Sequence, residues 1–135
     1  MRETRLQSVP GLSGMRLYLA DDAFDPWRAV QQATGDADAP LPYWGFAWGG
    51  GLALAHYLQE RPATVAGKRV LDLGSGSGLV AIAAMRAGAT RALASDIDPF
   101  AHAAIARNAR VNHVRITVVP RDLLDEGPPD VDVIL

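Results

Sequence analysis

The chain has 135 residues, 49% of them hydrophobic and 21% charged, with a formal net charge of −2. That length and apolar content suit one domain around one core, and the near-neutral balance lacks the basic footprint of a nucleic-acid binder. Zero cysteines exclude a disulfide framework, a thiolate metal site and a cysteine nucleophile.

The opening segment MRETRLQSVPGLSGMRLYLADDAF is broken by charges and glycines. It reads as neither a signal peptide nor a membrane span, so a cytoplasmic protein without membrane or nucleic-acid partners is expected. The first 40 residues look irregular apart from two elements. Met15, Leu17 and Leu19 alternate with Arg16 and Tyr18, which predicts a short strand over MRLYLA. A helix is expected in DPWRAVQQATG, with Asp25 as cap, Pro26 at the first helical position and Gly35 as its end. DADAPLP follows as a linker, which makes residues 1–42 an N-terminal extension ahead of a domain over 43–135.

From Gly49 to Glu60, Leu52, Ala55 and Leu58 share one helical stripe that stops before Pro62. KRVLDLG then reads as a buried parallel strand. LVAIAAMRAG is a helix closed by Gly88, RALASDID a second strand, and a helix capped by Asp98 and begun by Pro99 runs to Asn112. VRITVVP is a third strand and DVDVIL the start of a fourth. Arg107, Arg110 and Arg115 read as a solvated helix end. The alternation predicts an α/β fold, a Rossmann-like doubly wound parallel sheet cut within its fourth strand. Such a sheet would offer an apolar edge for self-association.

The stretch VLDLGSGSG sets Gly74, Gly76 and Gly78 between the first parallel strand and its helix. Ligands of open parallel sheets bind beyond the carboxyl ends of the strands. Glycines there let a ligand touch backbone, and the helix adds free N–H groups with a partial positive end. Ser75 and Ser77 read as small residues that keep the loop close to the ligand. The dinucleotide fingerprint needs a third glycine at position 79, which is Leu79.

Asp72 lies just ahead of the loop. Its carboxylate would repel a pyrophosphate and attract an ammonium or sulfonium; two unit charges about 4 Å apart interact by roughly 4 kcal/mol at an effective dielectric of 20. S-adenosylmethionine is therefore the expected cofactor. Asp96, ending the next strand, is placed to accept from ribose hydroxyls, and Ile97 to lie against adenine. Asp122 is either an acceptor for the adenine amino group or a cap for LLDE.

VLDLGSGSG, ASDIDPFA and PRDLL resemble the three motifs of class I, seven-strand S-adenosylmethionine-dependent methyltransferases. PYWGFAWGGGLALAHYL, GSGSGLVAIAAMRAGA and DIDPFAHAAIARNARVN are similar to bacterial relatives of the lysine methyltransferase that acts on the electron-transfer-flavoprotein β subunit. The resemblance implies a protein-lysine N-methyltransferase with a protein substrate. It assigns Asp72, Gly74, Gly76 and Gly78 to the methionine end of the cofactor, Asp96 to the ribose and Asp122 to the adenine. Trp48 resembles a tryptophan that packs on the cofactor, with a helix anchor as the alternative. Tyr43 and Trp44 read as packing.

His56, His102 and His113 lack the i, i+4 spacing of a zinc helix, so no metal site is expected. Methyl transfer is mostly positioning of a neutral, desolvated nucleophile, so no catalytic residue is named. The alternatives are a cofactor-binding module without turnover and a nucleotide-dependent oxidoreductase, which Leu79 and Asp72 disfavour.

Overall fold

The computed structural model describes residues 4–22 and 24–135. It opens with an antiparallel hairpin, β1 (Thr4–Ser8) and β2 (Arg16–Ala20), in which Thr4 faces Ala20 and Ser8 faces Arg16. The strand expected in MRLYLA is β2. Its partner β1 corrects the expectation of an irregular start. TRLQS has a single large apolar residue, Leu6, and leaves it exposed, so the hairpin ladder and not an apolar stripe makes it a strand.

Helix α1 (Phe24–Thr34) begins on a different cap from the one expected. Oδ1 of Asp22 accepts from the N–H groups of Phe24 and Asp25 at 2.8 and 3.1 Å. Asp25 thus lies inside the first turn. Gly35 ends the helix as expected, at φ +71°.

The remaining elements follow the predicted order: α2 (Gly49–Glu60), β3 (Arg69–Leu73), α3 (Leu79–Arg86), β4 (Arg91–Ser95), α4 (Pro99–Val111), β5 (Thr117–Val119), α5 (Leu123–Glu126) and β6 (Val133–Ile134). The third and fourth strands are shorter than VRITVVP and DVDVIL suggest. The four parallel strands lie in the order β5-β4-β3-β6. Val70 of β3 therefore faces Ala92 on one side and Val133 on the other. Successive crossovers build outward from β3 to β5, and the chain then returns to the free side of β3. That reversal is the switch point at which doubly wound sheets bind ligands.

One apolar core joins Leu12, Met15 and Leu17 to Leu58, Val70, Ile82 and Ile105, spanning both sides of the 42/43 division. Two asparagines one turn apart on α4 dock the hairpin. Asn108, fully buried, accepts from the N–H of Tyr18 at 2.7 Å, and Asn112 accepts from Arg16 N–H and donates to its carbonyl. Arg107, expected in solvent, instead holds its guanidinium 3.4 Å from the ring centre of Tyr18. A cation on an aromatic face is worth about 0.5–1 kcal/mol. No helix among the described residues is long and apolar enough to cross a membrane.

Candidate functional site

The glycine loop turns because its glycines take backbone angles closed to other residues. Gly74, Gly76 and Gly78 have φ of +71°, +53° and +83°. The N–H groups of Gly74 and Ser75 both donate to the carbonyl of Ser95, which pins the start of the loop to the end of β4. Asn108 donates to the carbonyl of Ser77 at 2.8 Å and so ties the far end of the loop to α4.

Both acids singled out from the sequence are built into this loop. Oδ2 of Asp72 accepts from Ser75 Oγ at 2.6 Å and from the N–H of Ala81 in the first turn of α3 at 3.0 Å. Only 4% of Asp72 is exposed. Burial raises its pKa to about 6; the bonds from Ser75 and Ala81 oppose that shift, and the charge of Asp96 adds to it. Asp96 accepts from Gly76 N–H through Oδ2 at 2.8 Å and from Asp98 N–H through Oδ1 at 2.9 Å. Each of its oxygens has accepted one bond, and an ionised carboxylate has about four acceptor positions. Asp98 caps α4 as expected, accepting from Phe100 N–H.

Above the loop lies a cleft of about 360 Å³, within the range of small-molecule sites. Of the residues named from sequence, Trp48, Asp72, Gly74, Ser75, Gly76 and Asp96 line it. Gly78, Ile97 and Asp122 do not. Gly78 faces inward instead: a Cβ there would come within 3.3 Å of the Ile105 backbone, so glycine lets α4 close on the loop. Ile97 is 72% exposed. Asp122 takes the capping alternative, accepting from Leu124 N–H at 2.9 Å to start α5.

Tyr43 and Phe46 line the cleft, and sequence reasoning missed both. Tyr43 was expected to pack, yet it is 58% exposed. Trp44 does pack, 3% exposed and stacked 6.2 Å from Phe100. The signal was present in PYWGFAW, where aromatics crowd a segment leading into a helix that starts on glycine. The indole N–H of Trp48 donates to the carbonyl of Tyr43 at 2.8 Å, and its ring lies 5.6 Å from the rings of both Tyr43 and Phe46.

Two of the histidines, His56 and His102, are engaged by backbone carbonyls. His56 Nε2 lies 3.1 Å from the Pro10 carbonyl and His102 Nε2 lies 2.7 Å from that of Asp96. Nε2 is therefore the protonated, donating nitrogen in each. His113 closes α4 at φ +57°.

Residues 53–135 match the model of the family described as ribosomal protein L11 methyltransferase (PrmA). The chain is 46% identical over 95 residues to the electron transfer flavoprotein beta subunit lysine methyltransferase of Mus musculus, covering 70% of this chain and 37% of that protein. It is 44% identical over 89 residues to the ribosomal protein L11 methyltransferase of Bordetella parapertussis, covering 62% and 28%. A ribosomal protein L11 methylase from Lactobacillus delbrueckii subsp. bulgaricus superposes with a TM-score of 0.57 at 36% identity, covering 66% of this chain and 46% of that one. The chain thus spans less than half the length of each of these relatives. With the α/β switch-point architecture of a class I S-adenosylmethionine-dependent methyltransferase and a family match over more than half of its residues, the chain belongs to the ribosomal protein L11 methyltransferase (PrmA) family.

Proposed function

We propose that the chain binds S-adenosylmethionine in this cleft and serves methyl transfer to a lysine of a protein substrate. One observation carries the reading. The cleft is lined by two carboxylates, three aromatic rings and open glycine backbone, with no Lys, Arg or His among its described lining residues. An anionic diphosphate would find no cation there. A nucleoside bearing an ammonium and a sulfonium finds opposite charge there.

The residues fit such a ligand. A Cβ on Gly74 would meet nothing within 4 Å, so the backbone there lies open to a bound group. Gly74, Ser75 and Gly76 would hold the methionine end, with the buried charge of Asp72 beneath them. The remaining acceptor positions of Asp96 suit two adjacent ribose hydroxyls. Adenine would extend toward Ile97 and Asp122, and Trp48 would pack at the rim. Gly78 supports the loop from below.

When bound, S-adenosylmethionine supplies an electrophilic methyl group. The chain's own part is to orient the acceptor and keep water away from it. A lysine amine has an unperturbed pKa near 10.4, so it must enter neutral or lose its proton as it is desolvated. The lysine acceptor accords with the mouse relative, which is a lysine methyltransferase.

The test has two stages. Calorimetric titration with S-adenosylhomocysteine should give saturable binding by the parent chain and none by Gly76→Val. Labelled methyl transfer is then assayed on electron transfer flavoprotein beta subunit and on ribosomal protein L11. Binding without transfer would reduce the chain to a cofactor module. Absence of binding, together with tight NADH binding, would overturn the cofactor assignment.

A further inference from the structure

The aromatic rim is more ordered than its exposure requires. Tyr43 is 58% exposed and Trp48 53%, yet the Trp48 indole is held in place by its bond to the Tyr43 carbonyl. Phe46 meets the same ring edge-on, at 64° between planes. The backbone of this segment also abuts the glycine loop, because a Cβ on Gly76 would lie 3.7 Å from both the Tyr43 carbonyl oxygen and the Trp44 Cα. Three fixed rings thus stand beside the loop, facing a cleft whose charged lining groups are carboxylates.

We infer that Tyr43, Phe46 and Trp48 form the acceptor wall of the cleft, a subsite for a primary or methylated alkylammonium side chain. The inference rests on the methyl-transfer reading above and adds the recognition chemistry to it. In the transfer, the nitrogen lone pair of the neutral amine forms the new N–CH₃ bond as the S–CH₃ bond breaks. The broken bond's electron pair stays on sulfur as a neutral thioether, and the positive charge arrives on nitrogen. Its N–H proton passes to solvent before a further round. Ring faces at that point attract the cation as it forms and do not hydrogen-bond the amine's lone pair. An aromatic wall therefore stabilises the positive charge that reaches nitrogen as the methyl group arrives.

The test uses the 135-residue chain saturated with S-adenosylhomocysteine and followed by NMR of its indole N–H signals. Nα-acetyl-Nε-methyl-lysine amide is titrated against the amide of Nα-acetyl-2-aminooctanoic acid, its uncharged isostere. The Trp48 indole signal should shift saturably, and the cation should bind about threefold to tenfold more tightly than the isostere. Phe46→Leu should shrink that ratio toward one. Equal binding of the two amides, binding of neither, or shifts confined to Trp27 and Trp44 would overturn the inference. Because the parent chain alone supplies the charged-to-neutral ratio, a misfolded variant does not decide the matter. S-adenosylhomocysteine affinity is measured in the same samples; its failure would count against the cofactor reading, whereas cofactor binding without cation preference would sink only the acceptor wall.

Discussion

The two walls of the cleft are built by opposite strategies. On the loop side, Asp72 is bonded by Ser75 and Ala81, the N–H groups of Gly74 and Ser75 by the Ser95 carbonyl, that of Gly76 by Asp96, and the Ser77 carbonyl by Asn108. On the rim, the rings of Tyr43 and Trp48 are open to solvent, Phe46 is half-buried beside them, and the three are fixed by one indole bond and their mutual contacts. A loop that must place backbone against an invariant cofactor gains from rigidity. Exposed ring faces leave the rim apolar area that a second molecule can contact. Perturbing the loop should therefore damage folding and cofactor binding together, and perturbing the rim should spare the fold.

The largest expected effect comes from Gly78→Val. It forces a β-branched residue to φ +83° and drives its Cβ to 3.3 Å from the Ile105 backbone. Strain alone at such a position is about 1–3 kcal/mol, and the clash adds to it. Chemical denaturation should show a loss of at least about 3 kcal/mol; a loss below about 1 kcal/mol would remove Gly78 from the loop's support. Next is Asn108→Ala, which strands the Tyr18 N–H and the Ser77 carbonyl in the interior. Each unpaired buried group costs about 1–3 kcal/mol. The same melt should show this loss, with S-adenosylhomocysteine affinity falling alongside it.

Asp72→Asn sharpens the comparison through pH. The pKa of the Asp72 carboxyl is raised by burial from its ordinary value of 3.8 to about 6. A group with a raised folded-state pKa contributes stability that is complete below its unfolded value and is lost as pH rises through the folded one. The parent's melting temperature should thus decline between pH 4 and pH 7 relative to Asp72→Asn, whose neutral amide removes that dependence. Parallel profiles across this window would show that Asp72 is ionised throughout. Smallest on the scale is Trp48→Phe, which keeps a ring but loses the bond to the Tyr43 carbonyl. Stability should change by no more than about 1 kcal/mol, as for one exposed hydrogen bond. A loss as large as that of Asn108→Ala would end the distinction between the walls.

Much of the loop side was legible before any coordinates. The D-x-G-x-G-x-G spacing, the Asp98–Pro99 start of α4 and the Gly35 stop are local devices, each settled within a few residues of chain. Asp122 illustrates where such reading divides: a cap and an adenine acceptor call on the same side chain, and the bond from Leu124 N–H to its Oδ1 shows the cap. Asp25 and Asp22 divide in the same way, three residues apart, with geometry choosing Asp22. The rim was read less well, because an aromatic residue in a connecting segment has no period to say whether it faces inward. Trp44 and Tyr43 are neighbours, and one is buried while the other is open.

By itself the sequence determined the alternating strands and helices, the glycine turn, the acids flanking it and the cationic ligand they favour. Each follows from hydrophobic period, backbone angle or charge within a short stretch. Only the tertiary structure decided that β6 returns beside β3, that β1 exists, that Arg107 lies on Tyr18 and that three aromatic rings line the cleft with the glycine loop. Those depend on contacts between residues distant in sequence, such as Asn108 reaching Tyr18 ninety positions away. A local pattern states which face must be covered; packing alone selects what covers it.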